Sequence, residues 1–97
     1  SNSERAVELA RRAIENGWDS ELNDERRAFI YLPLMHSESM EDQNLSVVCF
    51  ERAGLIDNLR FAQHHREIIR RFGRFPHRNQ ALGRTSSQEE LDYVSSL

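Results

Sequence analysis

Apolar residues recur along most of the chain at the three- and four-residue spacing of an amphipathic helix. The first such segment covers residues 4–16, where the apolar positions share one face and i,i+4 pairs of Glu and Arg lie on the other. Ser3 is expected to cap its start, and Gly17 suits the left-handed conformation just past its end. A polar connection from Trp18 to about Asn23 is predicted to follow.

The second predicted helix contains a proline. Asn23 is expected to cap its start, with acidic residues in the first turn. Because Pro33 lacks a backbone donor and crowds the preceding turn, the helix should kink or end near Leu32. Such a break leaves backbone carbonyls free beside the polar triplet His36-Ser37-Glu38, which is costly unless another group satisfies them.

The third predicted helix is the most apolar. Ser39 with Asp42 is a variant of the capping box, with Asp in place of Glu, and marks the start of this helix. The helix is expected to run to about Ala53 and to end at Gly54. Apolar residues at the consecutive positions 47–50 imply burial on more than one side. We therefore expect this helix to be central.

A fourth helix is predicted from an Asn58 cap to Phe72, with Gly73 at its C-terminal end. Its apolar stripe runs from Phe61 to Phe72 and contains a histidine in the middle. Residues 74–84 then form a loop. Apolar anchors, Phe75 and Leu82, indicate that the loop packs against the domain.

A short last helix completes the pattern. Ser87 and Glu90 have the spacing of a capping box, and the helix they open is expected to continue through Leu97. The chain shows no period-2 alternation, so strands are not expected. We predict an all-α fold of about five helices, arranged as a stack of antiparallel helical hairpins within a single domain over residues 1–97.

Charge is distributed unevenly along the 97 residues. Residues 64–84 hold six of the thirteen Arg and one acid, whereas the remainder holds seven Arg and fifteen acids. The acidic part of the chain can therefore neutralise the basic segment. The net charge of −3 argues against a nucleic-acid-binding protein, which is usually basic. A small anion such as phosphate or a carboxylate suits these arginines better.

Several features bear on the location of the protein. No apolar run approaches the ~20 residues of a membrane span. The first residues lack the charged-then-apolar order of a signal peptide. Cys49 is the single cysteine, so no intrachain disulfide can form, and a buried thiol in a reduced compartment is expected. These features predict a cytoplasmic protein without membrane contact.

Three motifs stand in order along the chain. Residues 29–38 read Phe-Ile-Tyr-Leu-Pro-Leu-Met-His-Ser-Glu, Asp42-Gln43 follows, and residues 69–79 read Ile-Arg-Arg-Phe-Gly-Arg-Phe-Pro-His-Arg-Asn before Leu82-Gly83-Arg84. Together they resemble the bacterial domain of unknown function 924 family, and the resemblance covers nearly the whole chain from about residue 4. It implies a tetratricopeptide-like all-α superhelix and no established reaction.

The chain departs from this family in one large respect. Family members usually carry a preceding helical half with its own Asp-Gln-Phe-Pro-Arg-Asn motif, and nothing like it occurs here. The chain therefore resembles the C-terminal portion of a longer fold. Because the end of a helical stack needs covering, the first helices are expected to expose an apolar face and to self-associate into a homo-oligomer.

Three histidines and one carboxylate could supply the ligands of a zinc or iron site. These residues are His36, Glu38, His65 and His77. Their spacing matches no compact metal-binding signature, so no metal and no other cofactor is predicted. His65 lies on an apolar stripe, where a histidine is more often a satisfied core residue than a ligand.

A structural role for the same region is the preferred interpretation. Glu38 is expected to accept hydrogen bonds from Arg74 or Arg78 and from a histidine. Such a polar network would fix the 74–84 loop against the kink at Pro33. A catalytic serine or cysteine is not indicated, because Cys49 lies in a core helix and the serine of the triplet lacks a glycine-flanked elbow.

The leading hypothesis is a helical-repeat module that binds or interacts without catalysis. Its candidate binding residues are His36, Ser37, Glu38, Gln43, His65, Arg74, His77, Arg78, Asn79 and Arg84. One alternative is a metal-dependent or hydrolase-like enzyme that uses His36, Glu38 and His77. Another is a protein that binds a small anionic ligand through the arginines of residues 64–84.

Overall fold

Helices form most of the computed structural model, which describes residues 2–97. Five are α-helices: α1 (Asn2–Glu15), α2 (Asp24–Met35), α3 (Met40–Ala53), α4 (Ile56–Phe72) and α5 (Gln88–Ser95). Two short 3-10 helices, Trp18–Glu21 and Pro76–Arg78, lie in the connections. No strand occurs in residues 2–97, so the predicted all-α class with about five helices is confirmed. A tetratricopeptide-like repeat stays a prediction.

Local capping chemistry defines most helix ends. The side chains of Asn23, Ser39 and Ser87 each accept a hydrogen bond from the first turn of α2, α3 and α5. Gly54 and Gly73 follow α3 and α4 with φ of 70° and 73°, a left-handed conformation that glycine adopts without steric cost. These predicted ends are confirmed because the signals that specify them are local.

Two predicted helix starts are wrong, and the second helix does not end at Leu32, while a kink at that point stays a prediction. Ser3 lies inside α1, which already includes Asn2. Asn58 lies inside α4, because the Leu59 amide already bonds the Leu55 carbonyl at 2.8 Å. The second helix continues past Leu32 and through Pro33 to Met35. Its last turn buries Leu34 and Met35, which are 0% and 6% exposed, and this burial outweighs the hydrogen bond that proline cannot make.

The core forms two clusters. The larger joins α2, α3 and α4 through Tyr31, Met35, Val47, Cys49, Phe50 and Ala62. In it α3 packs against both α2 and α4, so its predicted central position is confirmed. Burial also raises the pKa of the Cys49 thiol to about 11. The smaller cluster contains Ile68, Ile69 and Phe75, with Phe72 and Tyr93 packed against it.

Some predicted core residues are exposed instead. Phe61 is 61% and Leu82 60% exposed, so neither anchors its segment. Helix α4 buries Ala62 and Ile69, and Phe61 falls outside that face. Phe75 is fully buried and anchors the 74–84 loop, which Leu82 does not. No helix in residues 2–97 has the length and apolar character needed to cross a membrane.

Candidate functional site

Glu38 joins the α2–α3 turn to the 74–84 loop. Its carboxylate accepts hydrogen bonds from the Phe75 amide at 2.6 Å and from Arg84 Nη1 and Nη2 at 2.7 and 3.1 Å. The Arg84 hydrogen bonds and the Phe75 amide hold the pKa of Glu38 below its usual value, against the opposing effect of burial. The predicted role of Glu38 as an acceptor is confirmed. The predicted donors, Arg74, Arg78 and a histidine, are wrong.

Arg84 reaches Glu38 because the loop folds back on itself. Its amide donates to the Asn79 carbonyl at 2.8 Å, and its Nε donates to Asn79 Oδ1 at 2.9 Å. The Phe75 carbonyl accepts a further hydrogen bond from Arg84 Nη2 at 3.2 Å. Asn79 is 1% exposed, so the predicted site residues Asn79 and Arg84 form the interior of the loop.

Arg74 is paired with α5 instead. Its Nε and Nη2 donate to the two carboxylate oxygens of Glu90 at 2.8 and 2.7 Å. Glu90 is 4% exposed and also accepts from the Ser87 amide at 2.9 Å, which completes the predicted capping box. The arginine and this amide both hold the pKa of Glu90 below its usual value. The sequence signal for this pair was Glu90, the acid of a capping box that lies close to the arginine-rich segment.

Gln43 satisfies the carbonyls that the end of α2 leaves free. Its Nε2 donates to the carbonyls of Met35 and Ser37, both at 2.7 Å, and its side chain is fully buried. The Gln43 Oε1 atom has no hydrogen-bond partner in the described part of the chain. Gln43 therefore supplies hydrogen bonds of the kind that free carbonyls beside the polar triplet were expected to need.

Asp42 takes a different role from the predicted one. Its amide donates to the Ser39 hydroxyl at 3.4 Å, but its carboxylate does not reach back to Ser39. Instead it accepts from the Ser37 hydroxyl at 2.6 Å and from Arg11 Nε at 2.9 Å. The capping box at α3 is thus half formed, and Asp42 links α1 to the α2–α3 turn through these two hydrogen bonds.

The histidines form a row of rings around Phe75. The ring centroids of His36 and His65 lie 5.8 Å apart, those of His65 and Phe75 5.5 Å, and those of Phe75 and His77 5.9 Å. His65 Nδ1 donates to the Phe61 carbonyl at 2.7 Å. Burial lowers the pKa of both His36 and His65, so both rings are neutral at pH 7.

The histidines do not assemble a metal site. Across residues 2–97 no three His, Cys, Asp or Glu side chains are close enough together to hold a metal ion. Glu38, the carboxylate of the predicted ligand set, already binds Arg84 and the Phe75 amide. The geometry therefore does not favour the metal-dependent alternative that used His36, Glu38 and His77.

Arg78 differs from the other arginines of the loop. Its guanidinium carbon lies 4.5 Å from the centroid of the Phe75 ring, a cation–π contact. Within the described residues its guanidinium makes no hydrogen bond or ion pair with another side chain. The side chain is half-buried, so its charge is held in place and still available.

An open groove lies beside this arginine. It has a volume of about 1040 Å³ and separates the first two turns of α1 from the end of α2 and the α2–α3 turn. Ala6, Val7, Phe29, Leu32 and Pro33 give it apolar walls, and its polar residues include His36, Ser37, Glu38, Asp42 and Arg78. The other predicted site residues do not line it: Gln43, His65, Arg74, His77, Asn79 and Arg84.

The fold and groove define an all-α domain in which an arginine-rich loop is held against the α2–α3 turn by a part-buried ion pair and against α5 by a second one. The chain belongs to the family described as bacterial protein of unknown function (DUF924), whose model matches residues 1–97. The resemblance seen in the motifs is confirmed.

One solved structure matches the whole chain. It is that of a protein of unknown function, ATU0120, from Agrobacterium tumefaciens, with 35% sequence identity and a TM-score of 0.92. The match covers 100% of this chain and 55% of that one, so this chain spans little more than half the length of its relative. No match was found among curated proteins.

Proposed function

We propose that this chain is a binding module and that the groove between α1 and the α2–α3 turn is its ligand site. The observation that carries the proposal is the contrast between two sets of polar side chains. Glu90 is paired with Arg74, and Glu38, which lines the groove, is paired with Arg84. His36 and Arg78 line the same groove and make no side-chain hydrogen bond in the described residues.

The lining of the groove also supports a small organic ligand. Ligand sites are usually concave, mostly apolar and equipped with a few polar groups that fix orientation. Here Val7, Phe29 and Leu32 supply apolar surface, and polar residues line the groove both at the start of α1 and toward the end of α2. Phe29 is 73% exposed and lines the groove, so it offers apolar surface that a bound ligand would cover.

The proposal is tested by titrating the chain with 3-phenylpropanamide, a neutral probe with an aromatic ring and an amide. We expect changes in the amide NMR spectrum to cluster at the residues that line the groove. Val7→Trp, which places a bulky ring in the groove, should abolish them, whereas Leu9→Trp should not, because Leu9 is exposed on α1 outside the groove. Perturbations that scatter over the surface, or that survive Val7→Trp, would show that the groove is not the site.

A further inference from the structure

We propose that the ligand of this groove is a small organic carboxylate, with Arg78 binding the carboxylate and the apolar walls holding the rest of the molecule. This inference rests on the proposed function, since it names the chemical class that the same groove takes. It depends on three features: the presentation of Arg78, the neutralisation of the acids around it, and the apolar surface of Phe29 and Leu32.

The guanidinium of Arg78 is held in place by its contact with Phe75. Its position in the 3-10 helix Pro76–Arg78 is fixed by the buried ring of Phe75, over which its guanidinium lies at 4.5 Å. The guanidinium N–H groups make no hydrogen bond in the described residues, and such groups can bind the two oxygens of a carboxylate. Little side-chain entropy remains to be lost when a ligand binds, because the arginine is already held.

The acids near Arg78 are neutralised by other groups. Glu38 forms a salt bridge with Arg84 and accepts the Phe75 amide, and Asp42 forms one with Arg11. Glu4, the remaining acid that lines the groove, lies in the exposed first turn of α1. At the α2–α3 turn, Arg78 is therefore the one charged side chain of the groove lining that makes no ion pair in the described residues, which suits a monoanion.

His36 adds a hydrogen-bonding group at the same end. Its ring is in Coulombic range of Arg78, lines the groove and is neutral at pH 7. A neutral imidazole can donate to a carboxylate oxygen without adding a second charge. Val7, Phe29 and Leu32 give the groove apolar surface, whereas Asn2, Ser3 and Glu4 line it at the start of α1. The part of the ligand that packs on Phe29 and Leu32 should therefore be apolar.

The test compares two probes that differ only in charge, 3-phenylpropanoate and 3-phenylpropanamide, by calorimetry and NMR at pH 7.5 with the 97-residue chain. We expect the carboxylate to bind about tenfold more tightly than the amide, the order expected for a charge-assisted pair. Arg78→Gln should remove that preference by lowering the affinity for the carboxylate about tenfold relative to the affinity for the amide. Arg60→Gln is the matched control, because Arg60 is exposed on α4 away from the groove.

Each outcome has a distinct meaning. Equal binding of the two probes in the groove would overturn the carboxylate inference and leave the proposed function standing. No binding of either probe in the groove would overturn both. Thermal unfolding shows whether Arg78→Gln remains folded; if it does not, the comparison of the two probes on the unaltered chain still decides the question. Tighter binding of inorganic phosphate than of 3-phenylpropanoate, lost in Arg78→Gln, would replace the carboxylate by a phosphate.

Discussion

At the scale of single residues, Glu38 attaches the 74–84 loop to the α2–α3 turn. It neutralises Arg84 and caps the Phe75 amide, and its side chain is 27% exposed. Glu38→Gln would leave the Arg84 guanidinium without its carboxylate in a half-buried site. We expect the free energy of unfolding to fall by about 2 kcal/mol, as for the loss of hydrogen bonds to a charged group. Urea denaturation followed by circular dichroism measures the change.

The matched control for this change is Glu41→Gln. Glu41 lies three residues further along the chain, is exposed, and forms no salt bridge in the part of the chain that the structure describes. Its substitution should change stability by less than about 0.5 kcal/mol. Equal effects of the two substitutions would show that Glu38 is solvated and that the loop is attached by other contacts.

The histidine rings make stability depend on pH. Burial is the chief cause that lowers the pKa values of His36 and His65 in the folded chain. His65 and Arg78 also lower the pKa of His36, and His64, His77 and Arg78 also lower that of His65. The unfolded chain takes up these protons near pH 6.5, and the folded chain does so only at lower pH. Between those values the unfolded state binds more protons, so stability rises with pH and is lost as the pH falls below about 6.5.

We therefore expect the urea midpoint to decline from pH 7 to pH 5.5, before the carboxylates begin to titrate. The double variant His36→Gln and His65→Gln should flatten this decline, since neither amide titrates. Above pH 7 the two proteins should show the same pH dependence, because both rings are then neutral in the folded and unfolded states. An unchanged slope in the double variant would assign the pH dependence to other groups.

The partner of Glu38 was beyond prediction from the sequence. The sequence placed a carboxylate opposite an arginine-rich segment, and this placement is correct. Selecting one arginine requires the path of the loop, which turns back so that Arg84 bonds Asn79. It also requires the position of α5, whose Glu90 takes Arg74. Both depend on contacts between residues distant in sequence, which local patterns do not encode.

At the scale of elements, α5 is the least embedded helix. It has eight residues, and Glu90 is its one buried residue, while Leu91 and Val94 are 52% and 37% exposed. So short a helix is unstable alone and depends on its cap and on tertiary contacts. Those contacts include the Arg74–Glu90 pair, the exposed Arg71–Glu89 pair and the packing of Tyr93 against Phe72, whose ring centroids lie 5.3 Å apart.

The capping box of α5 is open to direct test. Ser87→Ala removes the acceptor of the Glu90 amide and should lower stability by about 1 kcal/mol. Hydrogen exchange should accelerate in α5 more than in α3, because the lost bond belongs to α5 alone. Ser95→Ala deletes a hydroxyl at the other end of the same helix and should have a smaller effect. Uniform acceleration across all helices would show that α5 unfolds only with the whole chain.

Helix ends illustrate which elements a sequence specifies. Asn23, Ser39 and Ser87 were identifiable because a cap acts within four residues. The second helix continues through Pro33 because the local cost of the proline is outweighed by the burial of the turn that follows it, which is a tertiary effect. The exposure of Phe61 has the same origin: the periodicity marks an apolar face, and only the packing of α3 decides which part of that face is covered.

At the scale of the whole molecule, the chain is elongated, with extents of 45 × 28 × 19 Å. Helix α4 runs through both core clusters, contributing Ala62 to one and Ile68 and Ile69 to the other. A small, elongated chain buries a limited share of its apolar surface. Consistent with this, Leu9, Trp18 and Phe29 are 63%, 54% and 73% exposed at the end formed by α1, the first 3-10 helix and α2.

These exposed residues support the expected self-association of the first helices, which stays a prediction. A second copy presents the same apolar side chains, so a symmetric contact between the two α1–α2 surfaces is the pairing that we expect.

Light scattering between 5 and about 200 μM should show a mass that rises above that of one chain, in the range typical of weak interfaces. Leu9→Ser should shift the rise to higher concentration without altering the groove, which Leu9 does not line. Leu97→Ser, a change of the same kind at a residue 72% exposed in the C-terminal part of the chain, should not. A monomer at every concentration, or equal effects of the two substitutions, would contradict an interface at the first helices.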